Sequence, residues 1–123
     1  MRGRPCPLGA GGPLSAAVKE RVATELARIA DAERRTALEA LLIEPRLQLR
    51  EWDLGEPGAR YRTWLIAQDP KSSLGLAYCE YGYGPERPWG YVSAGFLSLG
   101  DSAQWYPTLE EAFLASGLAP PAR

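Results

Sequence analysis

Val18, Val22, Leu26 and Ile29 recur at intervals of four, four and three. That spacing lines one face of an α-helix and predicts one that starts at Ser15 as N-cap. Lys19, Glu20, Arg21, Glu25 and Arg28 fall largely on its other faces. Asp31 carries the side chain that caps a second helix, whose apolar side is Ala37, Leu38, Leu41 and Leu42. One long helix bent at Asp31 is the alternative. Pro45 ends the run, because the residue before a proline disfavours helical backbone.

From Leu47 the period changes to two. Leu47, Leu49 and Glu51 alternate with Gln48, Arg50 and Trp52, which predicts a first strand. Gly55-Glu56-Pro57-Gly58 makes a turn. A second strand, Tyr61 to Gln68, sets Tyr61, Thr63, Leu65 and Ala67 against Arg62, Trp64, Ile66 and Gln68. After the turn Asp69–Ser73 comes a third strand, Leu74 to Tyr81, with Leu74, Leu76 and Tyr78 on one face. A Gly/Pro loop over 82–88 leads to a fourth strand, Trp89 to Phe96. A short extended piece reaches Trp105-Tyr106. Thr108 then caps a last helix, with Glu111 placed to reach back to the Thr108 amide and Gly117 where a left-handed C-terminal cap belongs. Short connections favour an antiparallel meander. The expected fold is therefore α+β: an N-terminal helical pair, a four-stranded antiparallel meander sheet and a C-terminal helix. A single domain is expected over 15–117. Residues 1–14, rich in Gly, Pro and Arg, read as a flexible tail or an upstream extension, and 118–123 as a second tail.

Composition removes whole classes of chemistry. The 123 residues include no histidine and no asparagine, so Ser-His-Asp and Cys-His catalysis, histidine metal sites and N-glycosylation have no basis. Net charge is −1; residues 1–51 carry nine basic and seven acidic groups, and residues 52–123 five and eight. Neither half forms the basic patch of a nucleic-acid binder, so no nucleic-acid partner is expected. Arginine outnumbers lysine twelve to two, which, with abundant Ala, Gly and Pro, fits a GC-rich coding sequence. No apolar run approaches the ~20 residues of a spanning helix, and no signal-peptide pattern follows Arg2 and Arg4. Cys6 and Cys79 make neither a disulfide framework nor a zinc site. A cytoplasmic protein without membrane partner, cofactor or metal is the expectation.

Three stretches carry a resemblance: IEPRLQLREWDLGEPG at 43–58, GLAYCEYGYGP at 75–85 and WYPTLEEAF at 105–113. Together with their spacing they resemble a set of small bacterial proteins to which no activity is assigned, over roughly residues 20–117. The resemblance implies a bacterial cytosolic origin and one compact domain, and it brings no function with it. Where a histidine or phenylalanine is expected within YCEYGYGP, this chain has tyrosine, so any chemistry resting on that histidine is absent.

All twelve aromatic residues lie between Trp52 and Phe113, and the candidate binding residues cluster among them. Arg50 and Trp52 share a strand face, with Glu51 and Asp53 opposite. The segment Glu80 to Trp89 contributes Glu80, Tyr81, Tyr83, Glu86, Arg87 and Trp89, the Tyr, Trp and Arg types enriched at binding hot spots. Gly82 and Gly84 permit positive φ, and Arg87 is placed to stack on Trp89. Trp105 is a candidate pocket wall. The favoured reading is a non-catalytic protein-interaction module, immunity-like or accessory, that binds another protein through this aromatic loop and sheet. A small-molecule pocket lined by Trp52, Tyr81, Trp89 and Trp105 is the alternative. A hydrolase using Glu80 and Glu86 comes third, because it requires both acids in one cleft. Cys79 lacks a histidine base and reads as a small core residue.

Overall fold

A computed structural model describes residues 15–52, 54–55, 57–81, 83 and 85–120. The expectations for the 1–14 tail, Cys6, Asp53, Gly82 and Gly84 fall outside the described residues. The elements are α1 (Ser15–Ala27), α2 (Ala32–Glu39), β1 (Leu42–Arg50), β2 (Tyr61–Gln68), β3 (Leu74–Tyr78), β4 (Trp89–Ser93), β5 (Trp105–Tyr106) and α3 (Leu109–Ser116). The α+β class and the antiparallel sheet are as the residue pattern predicts. The sheet has five strands in the order β1-β2-β3-β4-β5, a meander throughout. The fifth strand is the short extended piece before the last helix: Tyr106 pairs with Trp89 and Trp105 with Gly90.

Local signals set most helix ends. Asp31 Oδ1 accepts the Arg34 amide at 3.0 Å and starts α2 as predicted. Ser15 lies within α1 rather than before it. α2 stops at Glu39, and Leu42 to Pro45 belong to β1 instead of a helix. Pro45 is tolerated there because β1 is an end strand whose pairing with β2 shifts register between Leu42 and Arg46. At α3, the Thr108 hydroxyl accepts the Glu111 amide at 3.1 Å, and Gly117 closes the helix at φ 81°. Glu111 takes the Thr108 hydroxyl at 2.9 Å rather than its amide. Another first-turn amide of α3, that of Leu109, is accepted at 2.9 Å by buried Glu25 of α1. A carboxylate at a helix N-terminus complements the helix dipole, so Glu25 joins the first helix to the last. Leu118 and Ala119 pack on the core beyond the expected boundary at 117.

The sheet is buried on both faces. On one face Trp64, Ile66, Leu76, Tyr78 and Trp89 pack against Val18, Val22, Ile29, Leu38, Leu109 and Phe113 of the helical segments. On the other, Trp52, Tyr61, Leu65, Ala77, Cys79, Val92, Leu99 and Trp105 form a second core without helices. The segment 94–104, which ends in a 3-10 turn at Ser102–Gln104, contributes Ala94 and Leu99 to it. Ala67 joins the helix-side core, against the expected alternation, because the β2–β3 register shifts between Leu65 and Ala67. β3 and β4 are shorter than predicted: β3 stops at Tyr78, where the Cys79 amide turns to Pro88 O, and β4 stops at Ser93.

Candidate functional site

The predicted site residues divide between the two faces. Trp89 is buried on the helix side, its ring 4.7 Å from Tyr78. Trp52 and Trp105 are buried in the second core, where Tyr83 lies between them, 5.1 Å from Trp52 and 6.4 Å from Trp105. The Tyr83 hydroxyl donates to Gly100 O at 3.0 Å, and Tyr81 packs on the same core. One pocket cannot hold Trp52, Tyr81, Trp89 and Trp105, because the sheet separates Trp89 from the rest. The three tryptophans are interior, and Tyr81 and Tyr83 are half-buried against the second core. The reason is area: each aromatic ring buries more apolar surface than an aliphatic side chain, and the helix-free face builds its core from these rings with a few aliphatic side chains.

Glu80 and Glu86 do not form a pair. Glu80 accepts the Tyr78 hydroxyl at 2.6 Å and the Arg21 guanidinium at 3.3 Å, facing α1. Arg21 also lies over the Tyr78 ring, 5.5 Å from its centroid. Glu86 and Arg87 are exposed, and Arg87 does not stack on buried Trp89. Burial, and then the hydrogen bond to Glu80, push the Tyr78 phenol well above its usual range. A raised folded-state value stabilises the fold at pH below the unfolded phenol's value, about 10. That contribution is lost as pH rises through the folded value. The stability difference between the parent and Tyr78→Phe is therefore expected to be constant up to about pH 10 and to shrink above it. Denaturant unfolding of both proteins from neutral pH to pH 11 checks this; an unchanged difference across that range would remove the phenol from the alkaline limb.

Arg50 is the largest departure from expectation. Its side chain is 0% exposed, although the strand pattern reads it as a candidate binding residue beside Trp52. Antiparallel pairing sets Arg46, Gln48 and Arg50 opposite Leu65, Thr63 and Tyr61, so they share the helix-free face. There Arg50 Nη1 donates to Phe96 O at 3.0 Å and Ser98 O at 3.1 Å, and Nη2 donates to Gln48 Oε1. Among the described residues no carboxylate pairs with it, and its Nε has no acceptor. The apolar residues Leu47 and Leu49 face the other side. The two-residue alternation is present, and it is the polar set, Gln48 and Arg50, that lies on the helix-free face.

What Arg50 holds is a loop. Glu51 N donates to Leu97 O and Leu99 N to Glu51 O, while Ser93 Oγ accepts the Phe96 amide at 3.2 Å. Gln48 Nε2 donates to Ala94 O at 3.3 Å. With its backbone fixed in this way, the loop displays Phe96 at 73% and Leu97 at 44% exposure. Beside it runs an open groove of about 920 Å³, lined by β1 residues 46–49, by Gln68 and residues 70–73 of the following turn, and by Ala94, Gly95 and Leu97; Phe96 stands next to it. Sequence reasoning placed Phe96 inside a strand. The available signal was the adjacent pair Phe96-Leu97 after Gly95, which breaks two-residue alternation.

Other hollows lie among the described residues. An apolar crevice of about 270 Å³ lies between α1 and β1, lined by Val22, Leu26, Leu42 and Ile66 among others. A polar one of about 640 Å³ borders Ser72, Tyr91 and Asp101. Among the described residues no three Cys, Asp or Glu side chains gather as metal ligands would, and no helix is long and apolar enough to cross a membrane. Comparison with known proteins finds no match to this chain among protein-family models, curated proteins or solved structures.

Proposed function

We propose that this chain is a non-catalytic protein-interaction module whose contact surface is the Phe96-Leu97 loop and the adjoining groove. One observation carries the reading: a large apolar side chain stands in solvent on a backbone tied down by a buried arginine. Exposed apolar side chains are common singly. A pre-organised one is different, because the entropy of ordering the loop is already met before a partner arrives. Burying a cation without a counter-charge is unfavourable for folding. Retaining that cation where two of its three hydrogen bonds go to the loop backbone suits a protein that needs the loop's shape.

The alternative small-molecule reading rests on the crevice between α1 and β1. Ligand sites combine apolar walls with a few converging polar groups. The one charged lining residue here, Lys19, is tied to Glu44 at 2.7 Å on the surface. The loop is therefore the better supported site.

A comparison of binding partners tests the proposal. The parent, a Phe96→Ser, Leu97→Ser double variant and a Leu114→Ser control are immobilised and exposed to the same host lysate. Leu114 is also exposed but sits on α3. The expected result is a protein retained by the parent and the control and lost from the double variant, with all three melting alike. Identical retained sets on all three would overturn it.

A further inference from the structure

The groove beside Phe96 has a charge asymmetry that identifies its partner's chemistry. Its charged lining residues are Arg46 and Lys71, and no acid lines it. Buried Arg50 lies on the same sheet face as Arg46, two residues along β1. The nearest acid along the turn, Asp69, is engaged with its own turn: it accepts the Lys71 amide at 3.2 Å and the Ser72 hydroxyl at 2.8 Å. Glu44 is paired with Lys19. The Arg46 guanidinium is oriented by Gln68 Oε1 at 3.2 Å, with its remaining donors available to a ligand. On a chain of net charge −1, the groove carries two cations and no acid.

We infer that the groove binds an acidic peptide segment of a partner protein, with carboxylates on Arg46 and Lys71 and an apolar side chain against Phe96 and Leu97. This rests on the interaction reading above and names its partner. Complementary charge steers such an encounter and sets its selectivity, while the apolar contact supplies most of the affinity. An oligonucleotide also carries anionic charge. It is the poorer fit, because exposed Leu47 and Leu97 line the groove beside only two cations, which make a short phosphate track.

The test is selection of a displayed library of random short peptides on the full chain, followed by binding of the selected peptides to variants. The expected peptides are rich in Asp and Glu with one large apolar residue. Their affinity is expected to fall about tenfold or more in Arg46→Glu, Lys71→Glu, and also with added salt. Gly95→Glu gives an independent check. Gly95 lines the groove, and a Cβ there meets no atom within 4 Å, so a carboxylate can be added at the groove's edge without a clash. It is expected to weaken the same peptides. Selected peptides that are neutral or basic, or that ignore both charge variants but lose binding in Phe96→Ser, would overturn the acidic chemistry and leave the interaction module standing. Binding of a single-stranded oligonucleotide with no peptide enriched would overturn both.

Discussion

An Arg50→Ala variant is expected to lose about 3 kcal/mol of stability, and Arg50→Met much less, about 1 kcal/mol or below. Two opposing terms decide this. Alanine leaves a cavity where a fully buried side chain stood, and large-to-small replacements at such sites cost about 2–5 kcal/mol. Against that, the guanidinium is unfavourable where it lies: burial pushes its pKa down to about 10, and Cys79 nearby only partly opposes this. Methionine keeps the volume and removes the charge, so most of the cavity penalty disappears together with the desolvation penalty. The Phe96 and Ser98 carbonyls lose their donor in both variants, but the loop that carries them lies at the surface and can turn them to water. Methionine is therefore expected to preserve the melting temperature while releasing the loop. Hydrogen exchange at the Glu51 and Leu99 amides, which are held by Leu97 O and Glu51 O, reads that release directly. Equal loss of stability in Ala and Met would show that the cation itself holds the fold. Unchanged exchange in Met would show that the loop is held without it. The sign with pH follows from the depressed value. In the folded state the charged form is disfavoured, so the penalty is full at neutral pH and declines as pH rises above about 10. This contribution opposes that of Tyr78, and the Met variant should lack it.

The same residue shows where a reading of the chain reaches its limit. β2 was located to the residue, α2 by the cap at Asp31 and α3 by Thr108 and Gly117, because each signal is local: alternation, an N-cap side chain, a glycine at positive φ. Whether Leu47 and Leu49 or Gln48 and Arg50 turn inward is not local. It depends on a loop nearly fifty residues downstream that contributes to the helix-free core and offers Arg50 its two carbonyls. The site residues follow the same division. The aromatic cluster was correctly located in sequence, but Trp52, Trp89 and Trp105 are spent on two cores, and composition does not distinguish a ring that closes a core from one that meets a partner. Phe96 was hidden by the opposite error. A strand extended three residues too far gave it a strand position when it belongs to the loop.

Trp105→Ala is expected to be the most damaging single substitution, at about 4 kcal/mol. The indole is 1% exposed, its Nε1 donates to Leu99 O at 2.6 Å, and its ring lies against Tyr83. Removing it opens the helix-free core and leaves a buried carbonyl without its donor. A domain with a total stability of about 5–15 kcal/mol comes close to unfolding on such a change. Its partner across the β4–β5 pairing is Gly90, and the two positions are complementary in shape. A Cβ at Gly90 would meet the Trp105 ring at 2.5 Å and Gln104 O at 2.8 Å. Gly90→Ala is therefore expected to cost about 2 kcal/mol by overpacking. In the double variant the ring is gone and only the Gln104 carbonyl resists the added methyl group. The two costs should then sum to at least about 1 kcal/mol less than additivity requires. Denaturant unfolding of the four proteins measures that coupling. Strict additivity would mean that glycine at 90 is required by the Gln104 carbonyl alone, and that the second core was not assembled around the fit between this glycine and this indole.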